Sequence, residues 1–284
     1  MQAQCSETLP RRAGRRVLAA SLAGPLVLSA LALAQGADAA PASPGPTSRA
    51  AEGTASPLIG ATSVARHDAL PRPRARAEAP RRRPGTLLAT VRSGQSLPMR
   101  ARPGGRTLTR AESSTEFGSR TVLSVARERG RWLAVRSPDL PDGRLGWVDR
   151  RSDALSFDRT AYSITADLSR RNVELRRGDR VVERLPVAIG RPGSPTPAGR
   201  FAVTDKLDGA DYGSYYGCCI LALSGHQPNL PAGWQGGDRL AIHGTDAPGA
   251  IGTAASAGCL RAADAPLRLL MRRVPVGTPV RIER

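Results

Sequence analysis

Residues 241–245 read Ala-Ile-His-Gly-Thr, and residues 256–261 read Ser-Ala-Gly-Cys-Leu-Arg. The first segment places His243 at the end of an apolar run typical of a strand, and the second places Cys259 at a glycine turn. The two side chains are 16 residues apart, and a loop of that length can bring them together. The two segments therefore predict a strand and a turn that meet at one site.

A histidine beside a cysteine is suited to nucleophilic chemistry. The thiolate is the reactive form of cysteine, and a neighbouring imidazole can take the thiol proton and stabilise the thiolate. A turn at Gly258 allows the backbone N–H groups of Gly258 and Cys259 to point at a developing oxyanion. Arg261 adds a fixed cation for a substrate carboxylate or for holding the loop. Together these residues indicate acyl transfer.

Two other interpretations stay open on these residues alone. The first is a zinc site, for which the chain offers few ligands at close spacing, although the fold could assemble them. The candidates for such a site are His226, His243, Cys218, Cys219 and Cys259. The second is a buried cysteine that takes no part in chemistry.

The apolar pattern around the site is typical of β-strands. Short apolar runs between residues 87 and 148 are separated by Gly, Pro and Asp turns, which predicts a small barrel. Alternation between residues 160 and 189 predicts a meander of hairpins. One helix is predicted after Cys259, with Asp264 as its N-cap and an apolar face at helical spacing. The chain is therefore predicted to be mainly β, with one packed helix.

The N-terminal third has a different composition. Four arginines precede an apolar run over residues 17–34, and an Ala-x-Ala cleavage candidate follows at residues 37–39. This layout predicts that residues 1–40 are a signal peptide, or an uncleaved membrane anchor. Residues 41–86 contain eight Pro, eight Arg and no aromatic residue, which predicts a disordered, positively charged linker. We therefore expect export to the cell envelope or cell wall.

The charge distribution bears on partners. The chain has a formal net charge of +18, of which +13 falls in residues 1–159 and +5 in residues 160–284. A basic arm suits an anionic surface, such as a wall polymer or a membrane surface. No nucleic-acid-binding motif accompanies it, so we expect no nucleic-acid partner. Collagen, coiled coil and multi-span membrane protein are excluded, because no glycine period, sustained heptad or second long apolar run is present.

The order and spacing of three segments resemble the signature of the L,D-transpeptidase family, with its YkuD-like catalytic domain. The segments are residues 243–245, 251–253 and 256–261. Residues 193–201, Gly-Ser-Pro-Thr-Pro-Ala-Gly-Arg-Phe, resemble the second hallmark of that family, Thr-Pro-x-Gly-x-Phe. The resemblance covers residues 160–283 and implies a β-sandwich-like catalytic domain. Residues 127–148 resemble bacterial SH3-like domains, which implies an SH3-like domain over residues 87–152.

The resemblance also implies a function. A secreted peptidoglycan L,D-transpeptidase would form a cysteine acyl-enzyme with a tetrapeptide stem and transfer it to an amine acceptor, for cell-wall cross-linking or remodelling. No metal or organic cofactor is implied. The nucleophile would be Cys259 and the general base His243. The substrate-binding or supporting residues would be Ser256, Gly258, Arg261, Gly244, Thr245 and His226.

One residue departs from the family pattern. Ala257 stands where the family usually has a second histidine, and His226 is the residue that could replace it in space. The departure, together with the basic arm, keeps open a wall-binding protein with impaired catalysis. An L,D-carboxypeptidase or another cysteine acyl-hydrolase, which would use water as acceptor, is a further alternative.

Cys218 and Cys219 are adjacent, and their redox state affects the nucleophile. A vicinal disulfide would leave Cys259 free, but the preferred interpretation is two small, buried, reduced side chains in a strand.

Overall fold

A computed structural model describes residues 85–234 and 236–284. The predicted signal peptide or anchor at residues 1–40, and the predicted linker apart from its last two residues, lie outside the described residues. Within the described residues, no helix is both long enough and apolar enough to cross a membrane.

The described part of the chain consists mainly of short strands. In chain order they are β1 (Thr86–Val91), β2 (Ser96–Arg100), β3 (Thr107–Glu112), β4 (Val122–Arg129), β5 (Trp132–Arg136), β6 (Gly146–Asp149), β7 (Leu155–Thr160), β8 (Tyr162–Asp167), β9 (Asn172–Arg177), β10 (Arg180–Gly190), β11 (Gly199–Asp208), β12 (Cys219–His226), β13 (Arg239–His243), β14 (Ala254–Ser256), β15 (Leu260–Ala262) and β16 (Pro279–Glu283). The helix α1 spans Asp264–Arg273, and 3₁₀ turns span Gly209–Tyr212, Ser214–Tyr216 and Pro248–Ala250.

The first seven strands form one antiparallel sheet in the order β3-β2-β6-β5-β4-β1-β7. The alternation of apolar residues explains how it folds: Leu97 and Met99 of β2 are buried, while their neighbours in the strand are partly exposed. The buried face forms a core of its own with the apolar side chains of β1, β4 and β5. The last strand, β7, pairs with β1 along its whole length and extends this sheet beyond residue 152.

The second sheet holds the strands that carry the predicted site. Its nine strands have the order β14-β10-β15-β13-β12-β11-β16-β8-β9. The pairs β13–β15, β10–β14 and β8–β16 are parallel, so the sheet is mixed. The helix α1 follows Cys259 and buries Leu267 and Leu270 against the main core. The predicted mainly β architecture with one helix after the cysteine is therefore confirmed.

The start of α1 differs from the prediction in one detail. The helix begins at Asp264, and its N-cap position is occupied by Ala263, which makes no side-chain capping bond. The Asp264 carboxylate instead accepts a 3.0 Å hydrogen bond from the backbone N–H of Cys218. Asp264 was therefore wrongly predicted as the N-cap, because its side chain is used to hold a neighbouring loop.

The two adjacent cysteines also differ from the preferred interpretation. Cys218 and Cys219 form a disulfide, and only Cys219 lies within β12. Side chains at successive positions of a regular strand point to opposite faces, which would keep the two sulfur atoms apart. Gly217 has a φ of +56° just before the pair, so the backbone leaves the strand geometry there. The prediction of two reduced side chains in a strand is therefore wrong.

Candidate active site

Cys259 and His243 line the same cleft of the second sheet. The register of the parallel pair β13–β15 explains why: Ile242 is paired with Leu260, and both are buried in the main core. Because strand side chains alternate, the preceding Cys259 and the following His243 point to the opposite face. That face carries the cleft, so two residues 16 positions apart in the sequence both line it.

The His243 imidazole is fully buried, and its tautomer is fixed by one hydrogen bond. Its Nδ1 lies 2.7 Å from the carbonyl oxygen of Gly244. A carbonyl only accepts, so Nδ1 carries the proton and Nε2 keeps its lone pair. Among the described residues Nε2 has no hydrogen-bond partner. This arrangement leaves the ring with an unoccupied basic nitrogen.

Burial keeps that imidazole neutral. Burial, and then the positive charge of Arg261, lower the pKa of His243 from 6.5 to about 3, although the Gly244 carbonyl opposes the shift. The neighbouring rings of Tyr216 and Tyr215 lie 4.9 and 5.6 Å from the imidazole, measured between ring centroids. The resting site therefore contains a neutral base rather than an imidazolium.

Cys259 is the one free cysteine in the described part of the chain, and it is partly exposed. Its Sγ lies 3.9 Å from the carbonyl oxygen of Arg239. Burial raises the pKa of the Cys259 thiol, while the Ala241 amide and the Arg261 charge oppose the rise. The resting cysteine is therefore a thiol, which needs a base before it can attack.

A short hydrogen-bonded turn holds the cysteine in place. The Ser256 hydroxyl donates to the carbonyl oxygen of Cys259 at 2.6 Å and accepts from the Gly258 N–H at 3.0 Å. The Gly258 N–H is therefore occupied, and its predicted role as an oxyanion donor is wrong. Gly258 is required for another reason: its φ is +125°, and a Cβ there would overlap the Gln227 side chain.

The other predicted supporting residues shape the edges of the site. The Arg261 guanidinium stacks over the Tyr215 ring, 4.3 Å from its centroid, and also donates to the Tyr215 hydroxyl. Gly244 has no room for a Cβ beside Asp264. The Thr245 hydroxyl accepts a 3.0 Å bond from the Ala247 N–H, which closes the turn after β13.

His226 is not brought to the cleft. Its Nε2 lies 2.8 Å from the carbonyl oxygen of Pro138, and its Nδ1 lies 3.0 Å from the Asp238 carboxylate. Burial lowers the pKa of His226, but the hydrogen bonds with Asp238 and Pro138 outweigh this and leave the pKa raised. His226 therefore joins the second sheet to the first, and the structure gives no support for it as a substitute for the histidine absent at position 257.

The described residues contain no group of three His, Cys, Asp or Glu side chains arranged to hold a metal ion. The zinc alternative accordingly has no site in that part of the chain.

Comparisons with known proteins bear on the family to which the chain belongs. The YkuD family model, described as an L,D-transpeptidase catalytic domain, matches residues 161–282. The protein named "Putative L,D-transpeptidase YkuD" of Bacillus licheniformis is 32% identical over 127 residues, which cover 44% of this chain and 67% of that protein. The chain belongs to the L,D-transpeptidase family.

Further relatives of this L,D-transpeptidase are more distant or shorter. The Bacillus subtilis protein of the same name is 30% identical over 125 residues, covering 43% of this chain and 66% of that protein. The NMR structure of the catalytic domain from the Enterococcus faecium L,D-transpeptidase has 25% identity and a TM-score of 0.32, covering 43% of this chain and 96% of that one. The enzyme class predicted from the sequence is confirmed.

Ala257, which stands where the family usually has a second histidine, is held through its backbone carbonyl. The buried Gln227 amide donates to the carbonyl oxygens of Ala257 at 3.2 Å and Pro195 at 3.1 Å. In this L,D-transpeptidase, Gln227 therefore joins the cysteine turn to the loop of the second family hallmark. Within that loop, the Thr196 hydroxyl accepts a 2.8 Å bond from the Gly190 N–H.

Most of the cleft wall was not predicted from the sequence. It is largely aromatic and aliphatic, and includes Phe117, Tyr215, Tyr216, Leu230 and Trp234. One signal could have found it: the chain has only three Phe, four Tyr and three Trp, and four of these ten residues line this cleft. Arg239 and Gln227 gave no comparable signal, because isolated polar residues of these types are common.

Proposed function

We propose that this enzyme is an exported peptidoglycan L,D-transpeptidase that uses Cys259 as nucleophile and His243 as general base. The unoccupied Nε2 of a neutral, buried His243 is the observation that carries the proposal. A base that accepts a thiol proton must hold a lone pair. In His243 the Gly244 carbonyl accepts the proton of Nδ1, so the lone pair is on Nε2, which has no hydrogen-bond partner among the described residues.

The reaction follows from these two groups. His243 Nε2 takes the thiol proton, and Cys259 Sγ attacks the carbonyl between the diamino acid and the terminal D-Ala of a tetrapeptide stem. The tetrahedral intermediate collapses as the C–N bond breaks, and the imidazolium returns its proton to the leaving amine of D-Ala. An acceptor amine then attacks the thioester, with His243 again taking a proton, and the thiol is restored.

The surrounding residues have supporting roles in this proposal. Ser256 fixes the turn through the Cys259 carbonyl and the Gly258 N–H, and leaves the Cys259 N–H as the donor proposed for the oxyanion. Arg261 places its charge beside both reacting groups and lowers the energy of negative charge in the site. Gly244 and Thr245 keep the strand end that carries the imidazole in its tight turn.

The rest of the chain is proposed to place the enzyme at the wall. The arginine-rich start and apolar run of residues 1–40 support export with a cleaved signal or an anchor. The basic residues of 41–86 support contact with anionic wall polymers or a membrane surface. The short, turn-linked strands of residues 87–152 support the SH3-like assignment of the first sheet.

The test is intact-mass analysis after incubation with a defined tetrapeptide stem. The parent is expected to gain the mass of the stem without its terminal D-Ala, and Cys259→Ala is expected to gain none. His243→Gln should lower the acylation rate by about 10²–10⁴-fold, the usual effect of losing a general base. His226→Gln is the matched control and should acylate at the parental rate.

The products separate the alternatives. A cross-linked dimer with an amine acceptor supports transpeptidation, whereas only the trimmed tripeptide supports an L,D-carboxypeptidase. A parent that binds peptidoglycan without acylation would support the catalytically impaired wall-binding protein. An adduct that persists in Cys259→Ala would refute the assignment of Cys259 as the nucleophile.

A further inference from the structure

The loop between β3 and β4 of the first sheet reaches the catalytic cleft of the second. This β3–β4 loop comprises residues 113–121. Phe117 lines the cleft that holds Cys259, and Glu116 forms an ion pair with Arg239 at 2.5 Å. The first sheet therefore contributes side chains next to the reacting groups.

A second contact holds the same loop. The Thr115 hydroxyl donates to one carboxylate oxygen of Asp205, a fully buried residue of β11. The other oxygen of Asp205 has no partner among the described residues. A buried carboxylate is costly without a donor, so this bond ties the loop to the second sheet.

Arg239 is the centre of the contact. Its side chain is only 7% exposed, and its guanidinium donates to the carbonyl oxygen of Leu223 at 3.0 Å and to the Thr204 hydroxyl at 2.7 Å. Within the described residues, Glu116 is the carboxylate that pairs with it. A buried guanidinium that loses its carboxylate is left as an uncompensated charge, so Glu116, although its own side chain is 52% exposed, helps to hold the guanidinium beside Leu223 and Thr204.

The same residue meets the nucleophile through its backbone. Arg239 is the first residue of β13, and its carbonyl oxygen is the atom 3.9 Å from Cys259 Sγ. The side chain is held by the β3–β4 loop, while the carbonyl faces the thiol. The guanidinium held by the loop and the carbonyl that faces the thiol therefore belong to one residue, at the start of the strand that ends in His243.

Phe117 completes the cleft wall. Its ring packs edge-on against Tyr212, with 6.5 Å between centroids, and faces the Arg239 guanidinium at 5.7 Å. Because Arg239 already uses its N–H groups, this side of the cleft presents mainly carbon surface. The methylene carbons of a diamino-acid side chain next to the scissile carbonyl would gain from contact with such a wall.

We propose that the β3–β4 loop is part of the acyl-donor site: Phe117 is a specificity-determining wall for the methylene carbons of the donor's diamino-acid side chain, and Glu116 is a positioning residue that holds Arg239 beside Cys259. The inference rests on the proposed function, because the donor is the stem peptide of that reaction. It goes beyond that function in assigning substrate selection to a residue of the first sheet.

The wall is tested with Phe117→Ala in the full chain, against Phe157→Ala. Phe157 belongs to the same sheet, is 40% exposed and does not line the cleft. Phe117→Ala should raise KM for the stem about tenfold with kcat within about twofold, since an apolar pocket contact acts on binding. Phe157→Ala should leave both unchanged. If Phe117→Ala does not fold, Phe117→Leu gives the same comparison with a smaller effect.

A readout independent of peptidoglycan uses two reagents that alkylate Cys259. Phe117→Ala should slow N-benzylmaleimide about fivefold, because the benzyl group loses its wall, and leave iodoacetamide unchanged. An unchanged ratio of the two alkylation rates would overturn the proposal that Phe117 forms a wall of the donor site. Lack of stem turnover in the parent would refute the proposed function, yet the alkylation ratio would still test this inference.

Glu116→Gln tests positioning, with Glu112→Gln as control. Glu112 is an exposed carboxylate on β3 with no ion pair in the described part of the chain. Glu116→Gln should shift the pH profile of Cys259 alkylation, because the Arg239 carbonyl moves relative to the thiol, and Glu112→Gln should not. A profile identical to the parent in folded Glu116→Gln would overturn the positioning role.

Discussion

Acidification should destabilise this protein through His243, and the effect has a defined size. The pKa of His243 in the folded chain is about 3, against 6.5 for an ordinary histidine. Between these values the unfolded chain binds a proton that the folded chain does not, so stability falls as the pH falls. At pH 4.5, two units below 6.5, the loss is about 3 kcal/mol, or a melting temperature about 5–10 °C lower.

The assay is thermal unfolding from pH 7.5 to 4.5 in the parent and in His243→Gln, which cannot take up a proton. The difference in unfolding free energy between the two proteins should change by about 3 kcal/mol over this range. His226→Gln is the control with the opposite sign. The pKa of His226 is raised, so its contribution is complete below its ordinary pKa and is lost as the pH rises through the folded value. If the unfolding free energies of the parent and His243→Gln changed in parallel with pH, the conclusion that His243 is a neutral, buried base would be refuted.

Two further predictions concern the cysteine turn and the cysteine pair. Gly258→Ala should lower the free energy of unfolding by about 1–3 kcal/mol, and lower acylation with it, because the backbone there has a positive φ and the new methyl overlaps Gln227. Gly249→Ala, whose methyl meets no neighbour, is the control in the same unfolding and acylation assays. Equal stability of the two variants would contradict the account of the turn. Mass analysis of peptides from the unreduced full chain should give a Cys218–Cys219 peptide lighter by two hydrogens than after reduction, and an unchanged mass would show that the pair is reduced.

The sequence predicted the parts of the fold that follow a local pattern. Alternating apolar residues predicted the strands of both sheets, and the 3.6-residue spacing predicted α1 after Cys259. His243 and Cys259 were found because each ends or precedes a short strand, and paired strands with matched faces bring such residues together.

The parts that were missed depend on contacts between distant residues. His226 is held by Pro138 and lies 88 positions from it, and Arg239 is 123 positions from Glu116. The local pattern of apolar and polar residues around these positions does not predict a contact with a residue so far away in the sequence. The occupied Gly258 N–H could not be predicted either, because it depends on the rotamer of Ser256.

The vicinal disulfide has a consequence for the chemistry of oxidation. Three cysteines lie in the described part of the chain, and two of them are consumed by each other. A bond between neighbours in the sequence encloses no loop, so its formation does not wait for distant segments to meet. The third sulfur, Sγ of Cys259, then has no second free thiol among the described residues with which to form a disulfide. An enzyme that must keep one cysteine reduced thus removes, within the described part of its chain, the two other thiols that could form a disulfide with it.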